Sequence, residues 1–114
     1  MISERIQRVN SLIARELGKL FLRELETPRS AVVTITKVAT TADLSYAYVW
    51  ISVLPNSEEP AILEYLEKNR GRLQTALNRK LVMRSVPLLS FQSDRTEEHA
   101  ARVERLLDDI RGNG

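Results

Sequence analysis

The chain has 114 residues, 43% hydrophobic and 28% charged, with a formal net charge of +2. These values describe one ordinary globular domain with enough length to bury a core, and they exclude any attraction to polyanions that acts through net charge alone. It has no cysteine, which removes disulfides, thiolate metal sites and cysteine nucleophiles and fits a reducing compartment.

From the N-terminus, Ser3 reads as a cap for a helix over about 3–25. Ile6, Val9, Ile13, Leu17, Leu20, Phe21 and Leu25 recur on its inner face. Arg5, Arg8, Arg15, Lys19 and Arg23 share a neighbouring stripe, diluted by Glu4, Glu16 and Glu24. The acid within this amphipathic start is unlike a secretory signal, and no apolar run reaches membrane-spanning length, so a cytoplasmic protein is expected. Thr27-Pro28 ends the helix, because a residue before proline avoids helical angles.

Two strands follow. The first, about 31–40, is rich in β-branched residues (Val32, Val33, Ile35, Val38), and Thr40-Thr41-Ala42-Asp43 turns the chain. In the second, about 44–54, Ala47, Val49, Ile51 and Val53 alternate with Tyr46, Tyr48 and Trp50. The aliphatic set is assigned to the core and the aromatic set to the open sheet face.

A helix is expected over about 58–69, with Glu58 and Glu59 at its positive end and Ile62, Leu63 and Leu66 in the core. Gly71 is expected to break the chain between two helices, supplying an angle that residues with a Cβ resist. The next helix, about 72–84, buries Leu73, Ala76, Leu77 and Leu81. Pro87 precedes a third strand, about 88–93, with Leu89 and Phe91 inward. Thr96 caps a last helix over about 97–111 with Val103, Leu106, Leu107 and Ile110 on one seam, and 112–114 is expected to fray. The result is a single α+β domain over 1–111, a three-stranded sheet with helices on one face.

Chemistry has little to build on. The single histidine, His99, sits in a polar stretch without a partner at metal-ligand spacing. The acidic pairs Glu58-Glu59, Glu97-Glu98 and Asp108-Asp109 are helix neighbours that do not face each other. No phosphate loop, dinucleotide fingerprint or nucleophile elbow is present, so neither an enzyme nor a cofactor is expected. Charge distribution is more informative. Between Lys68 and Ser93 there is no Asp or Glu, while Lys68, Arg70, Arg72, Arg79, Lys80 and Arg84 all fall in that run. A helix junction with clustered cations can seat phosphate oxygens. A protein-interaction module using Tyr46, Tyr48 and Trp50 is the alternative from composition.

The order helix–strand–strand–helix–helix–strand, with a short Gly-containing break between the middle helices, resembles the K-homology fold in its bacterial, type II arrangement. Asn69-Arg70-Gly71 has one glycine where that fold has a Gly-x-x-Gly loop. Other stretches resemble the ribosome-binding factor A family, whose interruption is Ala-x-Gly: Arg5 with Arg8-Val9, Thr27-Pro28-Arg29, Asp43-Leu44-Ser45-Tyr46-Ala47, Gly71, Arg84-Ser85-Val86-Pro87-Leu88-Leu89-Ser90-Phe91, and Asp94 with Thr96. Asn69 and Leu88 depart from the family's usual Ala and Glu. The resemblance implies a non-enzymatic factor that binds free small (30S) ribosomal subunits and assists late maturation and 5′-end processing of 16S rRNA, with a role in cold adaptation. It also implies a monomer without membrane or small-molecule partners. RNA contacts are expected at Lys68, Asn69, Arg70, Gly71, Arg72, Arg79, Lys80 and Arg84, with Arg5, Arg8 and Arg15 as a second patch.

Overall fold

In the computed structural model of the chain, residues 3–24 and 31–94 are described, with no account of the Glu24 side chain. The expected stop at Thr27-Pro28 and the expected helix over 97–111 lie outside these residues. Helix α1 spans Glu4–Glu24. Ser3 caps it as expected, its hydroxyl accepting from the Ile6 N–H (3.1 Å) and its carbonyl from the Gln7 N–H (3.0 Å). Ile6, Val9, Ile13, Leu17, Leu20 and Phe21 are buried, the stripe that helical spacing selects.

Strands β1 (Val32–Thr40), β2 (Tyr46–Leu54) and β3 (Leu88–Ser93) form one sheet in the order β1-β2-β3. β1 and β2 are antiparallel, whereas β2 and β3 are parallel. A parallel neighbour needs a crossover, and the two middle helices supply it. Ala47, Val49, Ile51 and Val53 are buried on the helix side, while Tyr46 and Tyr48 are 49% and 38% exposed on the other. A register irregularity between Ile35 and Lys37 keeps Val38 pointing inward.

Asp43 organises the β1–β2 turn. Its carboxylate accepts from the Thr41 hydroxyl (2.8 Å) and the Ser45 N–H (3.1 Å). Those bonds hold its carboxyl below the usual carboxylate range, the Thr41 hydroxyl being the largest cause. Leu44 follows at φ 63°, the left-handed position that closes such hairpin loops, so β2 begins at Tyr46 rather than at Leu44.

A 3₁₀ turn, Asn56–Glu58, leads into α2 (Glu59–Lys68), and α3 spans Arg70–Lys80. Two sequence-based expectations change here. Leu63 is half-exposed rather than core, and Glu59 is buried, its carboxylate accepting a hydrogen bond from the Ser93 hydroxyl. The second helix of the pair also ends earlier than expected. Leu81 turns to extended geometry (ψ 129°) and buries its side chain, leaving Val82 and Arg84 in an exposed connector to Pro87.

The helix break falls at Asn69, not at Gly71. Asn69 has φ −103° and ψ 9°, and both its N–H (3.0 Å) and its side-chain Nδ2 (2.8 Å) donate to the Tyr65 carbonyl. Its own carbonyl accepts from the Leu73 N–H (2.9 Å), so one residue closes α2 and opens α3. Gly71 lies inside the first turn of α3 with a negative φ, and a Cβ added there would meet nothing within 4 Å. The expected short connection is present, but a side-chain cap makes it, and glycine's freedom is not used.

α1 and α3 pack together, with α1 against β1 and α2 against β2 and β3, around a core centred on Ile13, Leu17, Val49, Ile51, Leu66, Leu73 and Leu77. Two polar ties lock the layers. The Thr40 N–H donates to Asn10 Oδ1 of α1 (2.8 Å). Gln74 of α3 accepts from the Leu89 N–H (2.9 Å) and donates to the Pro87 carbonyl (3.0 Å), pairing with the outer edge of β3 as another strand would.

Candidate nucleic-acid interface

The expected RNA-contacting residues fall into patches of different character. At the α2–α3 junction the cations are partly neutralised. Lys68 pairs with Glu64 (3.1 Å) and Arg70 with Glu67 (3.6 Å). Asn69 turns its amide inward to Tyr65, so its side chain is committed to the break. Arg72 extends over α2, its Nη2 donating to the Tyr65 hydroxyl (3.4 Å).

Further along α3 the carboxylates disappear. Arg72 and Arg79, together with Gly71 and Thr75, line a shallow hollow of about 430 Å³. Arg79 and Lys80 occupy the last turn, where cations also complement the helix dipole. Arg84 follows in the connector. Among the described residues, no carboxylate is ion-paired with Arg79, Lys80 or Arg84.

Arg84 also faces the first helix. Arg5 and Arg84 line the same open cleft of about 950 Å³ with Asp43, walled by Leu44, Tyr46, Val82 and Met83. The fold therefore joins Arg5 to the α3 patch, although they are far apart in sequence. It does not do so for the other two α1 cations. Arg8 and Arg15 line a separate hollow on α1 and are paired with Glu4 (3.6 Å) and Glu16 (3.4 Å).

Sequence reasoning missed the role of Gln74, and with it a third hollow of about 450 Å³ where Arg70, Gly71 and Gln74 meet Tyr46, Tyr48, Leu88 and Ser90. This hollow connects the helix junction to the aromatic sheet face across β3. The available signal was the polar Gln74 lying next to the core position Leu73. Metal chemistry finds no seat: among the described residues no group of three or more His, Asp or Glu is placed to hold an ion, and His99 lies outside them. No described helix is long and apolar enough to cross a membrane.

The fold and this surface define a small α+β domain whose crossover helices present cations beside an open sheet. Residues 5–107 match the family model described as ribosome-binding factor A, and the chain belongs to that family. It is 40% identical over 105 residues to ribosome-binding factor A of Thioalkalivibrio sulfidiphilus, covering 91% of this chain and 81% of that one. The crystal structure of ribosome-binding factor A from Thermus thermophilus superposes with a TM-score of 0.67 at 27% identity, covering 80% of this chain and 98% of that one. A homology model of the Thermus thermophilus factor, fitted into a cryo-EM map of its complex with the 30S subunit, gives a TM-score of 0.66 at 29% identity over 76% of this chain and 92% of that one.

Proposed function

We propose that this protein binds the free small ribosomal subunit through 16S rRNA and assists late maturation and 5′-end processing of that RNA without catalysing a reaction itself. The observation that carries the reading is the row Arg79, Lys80 and Arg84, with no ion-paired carboxylate among the described residues, joined by Arg5 across a cleft that Asp43 also lines. Cations without acidic partners give their full charge to phosphates. The 30S complex of the Thermus thermophilus relative supports the same partner. The helix order supports a K-homology-like RNA-binding domain, which on this reading works as a monomer in the cytoplasm.

A protein that acts only by binding changes an RNA through differential affinity for its conformations. On this reading it holds a late folding state of the subunit while separate nucleases trim the 5′ end. Cells lacking it accumulate immature subunits with 5′-extended 16S rRNA, more so in the cold. Normal 16S ends in a deletion strain at low temperature refute the proposal. The interface is tested by subunit binding against salt. Changing Arg79, Lys80 and Arg84 together to Ala lowers affinity and flattens the salt slope by roughly one unit for each phosphate no longer neutralised. Lys68→Ala, which removes an already paired cation, has a smaller effect. An unchanged slope in the triple variant places the phosphate contacts elsewhere.

A further inference from the structure

The open face of the sheet is not a generic solvated surface. Register places the aromatic residues of this face in three cross-strand rows, Tyr46 beside Leu88, Ala39–Tyr48–Ser90, and Lys37–Trp50–Gln92, with Thr34–Ser52 and Val32–Leu54 beyond them. Three aromatic rings thus follow one another along β2, repeating about every 6.6 Å as alternate strand positions do. The Tyr48 and Trp50 ring centroids are 6.1 Å apart, tilted by 47°. Ala39 and Ser90 flank Tyr48 and are too small to cover its ring. Lys37 Nζ lies 5.3 Å from the Trp50 ring centre.

Positive charge predominates around the rings. Thr34, Lys37, Tyr46, Tyr48, Trp50, Leu88, Ser90 and Gln92 include no carboxylate, Asp94 follows just past the end of β3, and Arg70, paired with Glu67, reaches the end of the row in the hollow it shares with Tyr46 and Tyr48. A docked amphipathic helix would favour a continuous aliphatic surface. Here a Tyr48–Trp50 ring pair and Tyr46 stand among hydroxyls, an amide and Leu88, with Gln92 Nε2 donating to Ser90 Oγ (2.9 Å). Successive flat rings, nearby polar groups and flanking cations match the faces, edges and phosphates of unpaired nucleotides.

We infer that the open sheet face is a single-stranded RNA site, in which unpaired bases stack on Tyr48 and Trp50 while Arg70 and Lys37 hold the phosphates on either side. The inference rests on the reading of the protein as an rRNA binder and adds the form of RNA it takes: an unpaired strand, distinct from the backbone contacts of Arg79, Lys80 and Arg84. The strand passes from the α2–α3 junction, over β3, onto β2.

Trp50 is the only tryptophan, so its fluorescence reports on the face directly. A short single-stranded oligoadenylate should quench it saturably in the full chain, and a blunt RNA duplex of equal length should not. Tyr48→Ala should weaken oligoadenylate binding by between about fivefold and a hundredfold, the range for loss of one stacked base. Its salt slope should not change, and Tyr48→Phe should restore binding. Arg70→Ala should instead flatten the slope by at most about 0.7, the share of one single-strand phosphate, because Arg70 is already paired with Glu67. Tyr48 is exposed, and equal melting temperatures for the variants and the parent separate lost binding from lost folding. Quenching by the duplex alone, or undiminished oligoadenylate binding by Tyr48→Ala, overturns the inference. So does a Tyr48→Ala variant that loses affinity for subunits but not for the oligomer, which would assign the face to a ribosomal protein. Subunit binding and Trp50 quenching fail separately. Quenching without subunit binding removes the ribosomal reading and leaves the stacking site, and the converse removes the site alone.

Discussion

Gln74 gives the sharpest test of how the crossover is held to the sheet. Its carboxamide makes two hydrogen bonds to the β3 edge, one from the Leu89 N–H (2.9 Å) and one to the Pro87 carbonyl (3.0 Å). Gln74→Ala removes both, together with an exposed hydrogen bond to Asn78 Oδ1 (3.1 Å). Each bond contributes about 1 kcal/mol net, and a stranded, partly buried amide adds to the loss, so the total is about 2–3 kcal/mol. In a domain of this size that lowers the melting temperature by about 8–15 °C. Helix propensity cannot explain such a loss, because Ala is the better helix former. Gln74→Met, similar in length but without the amide, should lose nearly as much, which separates hydrogen bonding from volume. Circular dichroism melts measure the global effect, and hydrogen exchange at the Leu89 amide measures the local one. Melting within a degree or two of the parent, with Leu89 protection intact, would refute the reasoning.

Gly71→Ala should stabilise the protein by about 0.5–1 kcal/mol, because Gly71 is helical and the added Cβ meets open space; a lower melting temperature would mean the break needs glycine after all. Thr40→Val should raise the melting temperature, since the Thr40 hydroxyl is buried without a hydrogen-bond partner among the described residues; a fall would show the hydroxyl has a stabilising role. Asp43 should titrate below the normal aspartate range in NMR pH titrations, and Thr41→Val should move its midpoint up. Because its folded pKa is depressed, its contribution is present above the unfolded value of about 4 and is lost as pH falls through the folded value. A midpoint unmoved by Thr41→Val counts against the turn network.

Much of the frame could be read from residue spacing. The alternation in β2 placed Ala47, Val49, Ile51 and Val53 inward and the aromatics outward, because a half-buried strand has a strict period of two. The α1 stripe and the Ser3 cap were equally legible. The helix break was misplaced by two residues, because glycine is the usual mark of an interruption while Asn69 makes one by turning its side chain back onto Tyr65. The basic run was overestimated at its start for a geometric reason. A linear window beginning at Lys68 contains no acid, but a helix folds Glu64 and Glu67 back beside Lys68 and Arg70. The third hollow depends on parallel pairing of β3 with β2 and on the Gln74 clamp, both long-range facts that no local pattern encodes. Burial of Glu59 beside Ser93 is of the same kind.

The parallel pairing of β2 with β3 also sets the order in which this surface can come into being. The β1–β2 hairpin closes locally, but the pairing of Ala47 with Leu89 must wait until both crossover helices have been synthesised. Non-local pairings of this sort form late. On a growing chain the cationic face of α3, the aromatic rows and the hollow between them are assembled together, when β3 docks after both crossover helices. A chain stopped before Leu88 would carry most of its positive residues but would lack β3 and the aligned rows of the open sheet face.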